Sequence, residues 1–273
     1  MRTFKYQAKK SSFLYAFIAG LSFILVGCGG GSGSGSPQEE SVTGGTNLVI
    51  SSAGTSSSGT SSGSTTGQTT PSAPTNNVAR TVDYYGDSTI WGYASGSGAR
   101  VAVPAPTAFA QALPASLNIT VRNEGVNSTD ACQLLNGNDG RHPAWSQQMD
   151  NSPASIVIIN HGINDEWRYD VNTYKGCLQS LAQIAKSKGK KVIFETPNPT
   201  RDSGPSGLDV YVNAMKAVAS QQNVPVIDQY QYLNNYLNGQ SVYTICPDGL
   251  HPTNAVYIMK GQYAASVFNT LGL

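Results

Sequence analysis

From Thr81 onward, short apolar runs alternate with longer stretches whose apolar residues recur at helical spacing. Five runs read as strands: Thr81–Gly86, Leu117–Asn123, Ser155–Gly162, Lys190–Pro197 and Val224–Tyr230. The third is almost continuously apolar, as expected of a central strand covered on both faces. Between Asp170 and Lys190, Leu178, Leu181, Ile184 and Ala185 fall on one face of a helix, which Gly189 closes. Leu208–Asn223 and Asn254–Gly272 carry the same period. This alternation predicts α/β architecture: a single-domain, three-layer α/β/α sandwich around a five-stranded parallel sheet. Ligands of such sheets sit beyond the carboxyl ends of the strands.

The first 77 residues lack this pattern. Arg2, Lys5, Lys9 and Lys10 form a basic head, and the apolar stretch Phe13–Val26 ends in Gly27-Cys28. A membrane span needs about 20 apolar residues, so a cleaved export signal over residues 1–27 fits better. Leu25-Val26-Gly27-Cys28 resembles a bacterial lipoprotein lipobox, which implies that Cys28 is lipidated and becomes the first mature residue. Gly29 follows, with no Asp to suggest inner-membrane retention. The resemblance implies a lipid anchor in the bacterial cell envelope, in the outer membrane where the host has one. Residues 28–77 are dominated by Gly, Ser and Thr and cannot bury enough apolar surface to order themselves. They read as a disordered tether, with a random-coil span of roughly 40 Å. The folded domain is then 78–273, long enough for one substantial core.

Charge excludes one class of partner. The chain has 17 Lys+Arg and 16 Asp+Glu, and removing the four bases of the signal leaves 13 bases against 16 acids, a net charge of −3. No basic stripe remains for a nucleic-acid backbone. A monomer is expected. Besides Cys28 there are Cys132, Cys177 and Cys246, an odd number with no zinc spacing, so at most one intramolecular bridge is expected. Cys177 lies early in its helix and Cys246 precedes Asp248 by two residues, which makes Cys177–Cys246 the expected pair.

Candidate chemistry gathers at the strand ends. Gly86-Asp87-Ser88 ends the first strand, and Gly125 follows the second. Gly162, Asn164 and Asp165 follow the third, and Asp248 precedes His251 by three residues before the last helix. A serine hydroxyl is a poor nucleophile until a base takes its proton. His251 can be that base, because imidazole titrates near neutrality. Asp248 can hold the other ring nitrogen and stabilise the imidazolium. Asp87 is expected to brace the turn rather than react, and Asp165 to brace the loop past the third strand. Trp91 and Tyr93 either line the pocket or pack in the core. His161 is expected buried beside the site and His142 solvated, and neither has metal-ligand spacing to a partner. No metal or cofactor is called for.

Together the four blocks, in this order, resemble the SGNH hydrolases, the GDSL esterase/lipase family. The resemblance spans Thr81 to Leu273, with Thr89 standing where that family often has Leu. It implies the SGNH, flavodoxin-like fold, a Ser88–His251–Asp248 triad, and an oxyanion hole of the Ser88 N–H, the Gly125 N–H and the Asn164 amide. The implied activity is ester hydrolysis through an acyl-serine. No long apolar insertion suggests a lid, which favours short acyl groups such as O-acetyl esters of carbohydrates. The alternatives are a lipase, lysophospholipase or thioesterase on longer chains and, from another class, a non-catalytic binding lipoprotein.

Overall fold

A computed structural model of the chain describes residues 78–201 and 207–273. The expected signal, the lipidated Cys28 and the tether lie outside the described residues. Strands β1 (Arg80–Gly86), β2 (Ile119–Gly125), β3 (Ile156–Asn160), β4 (Lys191–Glu195) and β5 (Val226–Ile227) form one sheet in the order β2-β1-β3-β4-β5. Every neighbouring pair is parallel. The helices are α1 (Ser88–Trp91), α2 (Ala105–Ala112), α3 (Ala131–Asn136), α4 (Trp145–Asn151), α5 (Ile163–Arg168), α6 (Val171–Ser187), α7 (Leu208–Gln222), α8 (Gln229–Leu237) and α9 (Asn254–Thr270).

Side chains alternate across a strand, and that alternation builds two cores. Tyr85, Val157, Ile159, Val192 and Phe194 face α3, α4, α6 and α7. Tyr84, Ile156, Ile158, Ile193 and Ile227 face α2 and α9. β3 is buried at every position, as its apolar run requires. Burying each such large side chain contributes about 1.5–3 kcal/mol, so the central strands are the most firmly held part of the sheet. Gly125 and Asn160 end β2 and β3 at the same edge as Gly86, and the candidate residues follow from that edge.

The long helices α6, α7 and α9 form where the apolar period places them. The shorter ones are set by local capping, which a period over so few residues cannot reveal. Asp87, Asp130 and Asp228 each accept a first-turn backbone N–H of α1, α3 and α8. The expected fifth strand is correspondingly cut to two residues. Pro225 cannot donate to a ladder, and Asp228 already caps the next helix.

The expected Cys177–Cys246 bridge does not form. Cys177 is bonded to Cys132, with Cα atoms 5.2 Å apart, and Cys246 is a buried free thiol. The layers explain this. Cys177 on α6 faces α3, whereas Cys246 packs with Leu233, Leu237 and Val256 of α8 and α9. Burial pushes the Cys246 thiol up to about 12, so it stays protonated.

Candidate active site

Asp87 sets the geometry of the β1 end. Its carboxylate accepts the Thr89 N–H and hydroxyl, both at 2.8 Å, and its carbonyl accepts the N–H groups of Ile90 and Trp91. The Ser88 N–H is left as the first-turn amide with no acceptor among the described residues. Ser88 Oγ lies 3.0 Å from His251 Nε2, and His251 Nδ1 lies 2.8 Å from Asp248 Oδ2. Ser88 at the end of β1 and the Asp248–His251 pair just before α9 thus form one hydrogen-bonded chain.

Asp248 holds its histidine by more than the ring. Its Oδ1 accepts the Leu250 N–H at 2.9 Å and the His251 N–H at 2.7 Å. Burial raises this carboxyl, but the hydrogen bonds from His251 and Leu250 outweigh it and hold it below the usual range. Asp248 is therefore an anion at neutral pH, as an imidazole-orienting partner must be. The Tyr93 ring lies against the imidazole, with centroids 4.3 Å apart, and the Tyr257 hydroxyl donates to the Tyr93 carbonyl. Trp91 in turn neighbours Tyr93.

Asn164 follows Gly162, whose φ of +147° suits a residue without a side chain. The Asn164 amide donates to the Thr129 carbonyl at 2.9 Å and, over a longer 3.4 Å, to Asp87 Oδ2. It thereby ties the start of α5 to Asp87, the residue before Ser88. Asp165 ties the same helix to α3, accepting the Ala131 N–H at 2.9 Å. Burial pushes the Asp165 carboxyl up to about 8, against the pull of that N–H.

Gly125 departs from its expected role. Its N–H donates to Asn123 Oδ1 at 3.0 Å and does not stand open as an oxyanion donor. The need for glycine is steric, since a Cβ here would meet the Trp91 nitrogen at 2.3 Å. Gly125 lets the end of β2 pass against α1.

His142 is the second correction. It is buried rather than solvated, with Nδ1 2.6 Å from Asp139 Oδ2 and Nε2 3.3 Å from Glu124 Oε2. The signal was in the chain: Asp139-Gly140-Arg141-His142 repeats the pattern of Asp248-Gly249-Leu250-His251. His161 is fully buried, and burial holds its imidazole below the ordinary value. Among the described residues no three His, Cys, Asp or Glu side chains gather as metal ligands.

A cleft of about 240 Å³ adjoins Asp248, lined also by Ile163, Asn164, Trp167, Thr200, Gly249 and Leu250. Trp167 is 58% exposed, although it stands three residues after Asn164 on α5. Nothing in the sequence around Trp167 marks it as lining this cleft.

A three-layer sheet carrying this arrangement past its strand ends defines the class, a serine ester hydrolase. Residues 84–257 match the model of the GDSL-like lipase/acylhydrolase family, and the chain belongs to that family. Among curated proteins, none matches it significantly. Solved structures similar to it include a GDSL-like lipase from Parabacteroides merdae, with 16% identity and a TM-score of 0.56 over 70% of this chain and 95% of that one. An acetylxylan esterase from Geobacillus stearothermophilus has 21% identity and a TM-score of 0.54, over 71% of this chain and 95% of that one. A carbohydrate acetylesterase family member from Sinorhizobium meliloti has 17% identity and a TM-score of 0.55, over 71% of this chain and all of that one. At these identities the likeness is one of fold.

Proposed function

We propose that the chain removes short acyl groups, chiefly O-acetyl, from carbohydrates through an acyl-serine intermediate. The observation that carries the mechanism is the chain of hydrogen bonds from Ser88 through His251 to Asp248. His251 Nε2 takes the Ser88 hydroxyl proton as Oγ attacks the ester carbonyl. Collapse of the tetrahedral intermediate expels the alcohol, which takes that proton from Nε2. Water then repeats the sequence on the acyl-serine, with His251 again as base, and releases the acid and free Ser88. The Ser88 N–H and the Asn164 amide are the donors for the oxyanion, the latter by turning from its long bond to Asp87. One such donor is worth about 3–4 kcal/mol in the transition state.

The cleft supports the carbohydrate reading. Trp167 offers an exposed aromatic face, and Asn164, Thr200 and Asp248 supply polar edges. Two structural neighbours, an acetylxylan esterase and a carbohydrate acetylesterase family member, point the same way. Lipidation of Cys28, with residues 28–77 as tether, belongs to the same proposal and would keep the domain at the cell envelope.

The test is hydrolysis of p-nitrophenyl acetate, butyrate and octanoate and of acetylated xylo-oligosaccharides, by wild type and Ser88→Ala. The expected outcome is preference for acetate, with the serine variant slower by about 10,000-fold or more. Trp167→Ala is expected to raise KM for the oligosaccharide and leave that for p-nitrophenyl acetate unchanged. Preference for octanoate would replace this reading with the lipase one. For the anchor, growth with labelled palmitate is expected to label wild type and not Cys28→Ala.

A further inference from the structure

We infer that Lys260, acting through Asn198, is a positioning residue for His251. This rests on the reading of His251 as the base. The starting observation is a fully buried lysine on α9. Its Nζ donates to Asn198 Oδ1 at 3.0 Å. Asn198, also fully buried, follows β4, and its Nδ2 donates to the carbonyls of Leu250 and Pro199, both at 3.1 Å. The same nitrogen lies 3.9 Å from Cys246 Sγ.

The Leu250 carbonyl belongs to the peptide that joins Leu250 to His251. The N–H of that peptide donates to Asp248 Oδ1 at 2.7 Å. A peptide bond is planar, so holding its oxygen and its hydrogen from opposite sides fixes the plane. The His251 Cα, and the direction in which the imidazole leaves it, are fixed with it. Asp248 thus supplies one half of a clamp and Asn198 the other. Without Asn198, the 250–251 peptide would be held from the Asp248 side alone.

The ammonium has a specific task in this clamp. An amide oxygen that accepts from a cation makes its own N–H groups better donors, because hydrogen bonds in series polarise one another. Asn198 is also fixed in its flip state, since only Oδ1 can accept from Lys260. A buried ammonium is costly unless compensated. The compensation is Glu195, fully buried at the end of β4, which accepts from the Tyr84 hydroxyl and, at 3.1 Å, from Asn160 Nδ2. Burial pushes the Glu195 carboxyl up and the Lys260 ammonium down, and each is countered by the other's charge. Gln229 donates to the Lys260 carbonyl at 2.7 Å and closes the cluster. Residues of three adjacent strands, β1, β3 and β4, thus meet at Glu195, whose charge acts on the lysine that holds Asn198. An apolar residue of similar volume at position 260 would pack as well. What it could not do is hold Asn198.

The test uses the full chain and three variants: Asn198→Ala, Lys260→Met, and Lys260→Met with Glu195→Gln, which removes both buried charges together. Misplacing a catalytic group by about 1 Å costs on the order of 100-fold in rate. The expected result is a fall in kcat of about 10- to 100-fold on p-nitrophenyl acetate, with KM unchanged, in variants whose circular dichroism matches wild type. The double variant keeps the test available if the single lysine variant does not fold. The second readout is the downfield proton resonance of His251 Nδ1–H, expected to broaden or vanish in each variant. This resonance reports the clamp whether or not the ester is turned over, so failure of the esterase reading and failure of the clamp are distinguishable. Wild-type kcat and an intact His251 resonance in folded Asn198→Ala overturn the inference.

Discussion

Asp139 holds His142 by the same three hydrogen bonds with which Asp248 holds His251. Asp139 Oδ1 accepts the N–H groups of Arg141 and His142 at 2.9 and 2.8 Å, and Oδ2 meets Nδ1 at 2.6 Å. What differs is the far nitrogen. That of His251 meets the Ser88 hydroxyl, whereas that of His142 meets the Glu124 carboxylate. One Asp-Gly-x-His turn therefore reaches Ser88, and its twin fastens a loop to the end of β2.

The twin makes stability depend on pH. Burial lowers the His142 imidazole, but hydrogen bonds to Glu124 and Asp139 outweigh it, and the neighbouring Arg141 opposes them, for a net rise above the ordinary value. The Tyr85 ring also packs against it. A histidine raised in the folded state stabilises fully below its unfolded value of about 6.5, and the gain is lost as pH climbs through the folded value. The Tm difference between wild type and His142→Gln is expected to be largest near pH 5.5 and to shrink toward pH 8.5. A difference that stays flat across that range would falsify the assignment.

Asn164 and Gly125 separate an oxyanion role from a packing role. Asn164→Ala removes a donor and is expected to lower kcat by about 100- to 1,000-fold with little change in KM. Gly125→Ala introduces a Cβ at 2.3 Å from the Trp91 nitrogen. Its expected effect is a lower Tm, with activity falling only as folded protein is lost. Thermal melts beside steady-state kinetics check both. A folded, thermally unchanged Gly125→Ala with much reduced kcat would restore Gly125 to the oxyanion hole.

Asp165 is a carboxyl at odds with its surroundings. Its Oδ2 is buried without a hydrogen-bond partner among the described residues, and burial raises the group to about 8. An unfolded aspartate titrates near 3.9, roughly. The folded state binds more protons between those values, so stability falls as pH rises from about 4 to about 8. Asp165→Asn keeps an acceptor for the Ala131 N–H and removes the charge. It is expected to match or exceed wild type in denaturant midpoint at pH 8, with the difference vanishing toward pH 4. A large loss of stability at pH 8 would show that the anion is needed.

The Cys132–Cys177 bridge closes a loop with a sequence separation of 45. In the chain-entropy account such a loop contributes about 4 kcal/mol, and measured effects commonly run about 2–4. Cys132→Ser with Cys177→Ser is expected to lower unfolding free energy within that range. Activity at room temperature is expected to survive, because neither cysteine touches Ser88, His251 or Asp248. Peptide mapping without reductant should recover one linked pair, 132 with 177, and an unlinked Cys246. A 177–246 peptide would contradict the structure.

The sequence by itself determined the layered α/β architecture and the residue types available for the site. Period-two and helical spacing are local, so the five strands, the three long helices and the parallel architecture were legible from apolar positions alone. Ser88 and Asn164 were legible because they follow β1 and β3 at the carboxyl edge of the sheet, whereas Asp248 and His251, which follow α8 rather than a strand, were legible only as an Asp-x-x-His pair. Short helices such as α3 and α5 escaped because one or two turns carry no period. Only the tertiary structure decided which face of the sheet each cysteine lies on, and so which pair could bond. It also decided that Gly125 gives its N–H to Asn123, that His142 is enclosed by two carboxylates, and that Lys260 reaches Asn198 under the catalytic loop. Each of these depends on distances between elements remote in sequence. Local composition limits such distances weakly, and packing sets them.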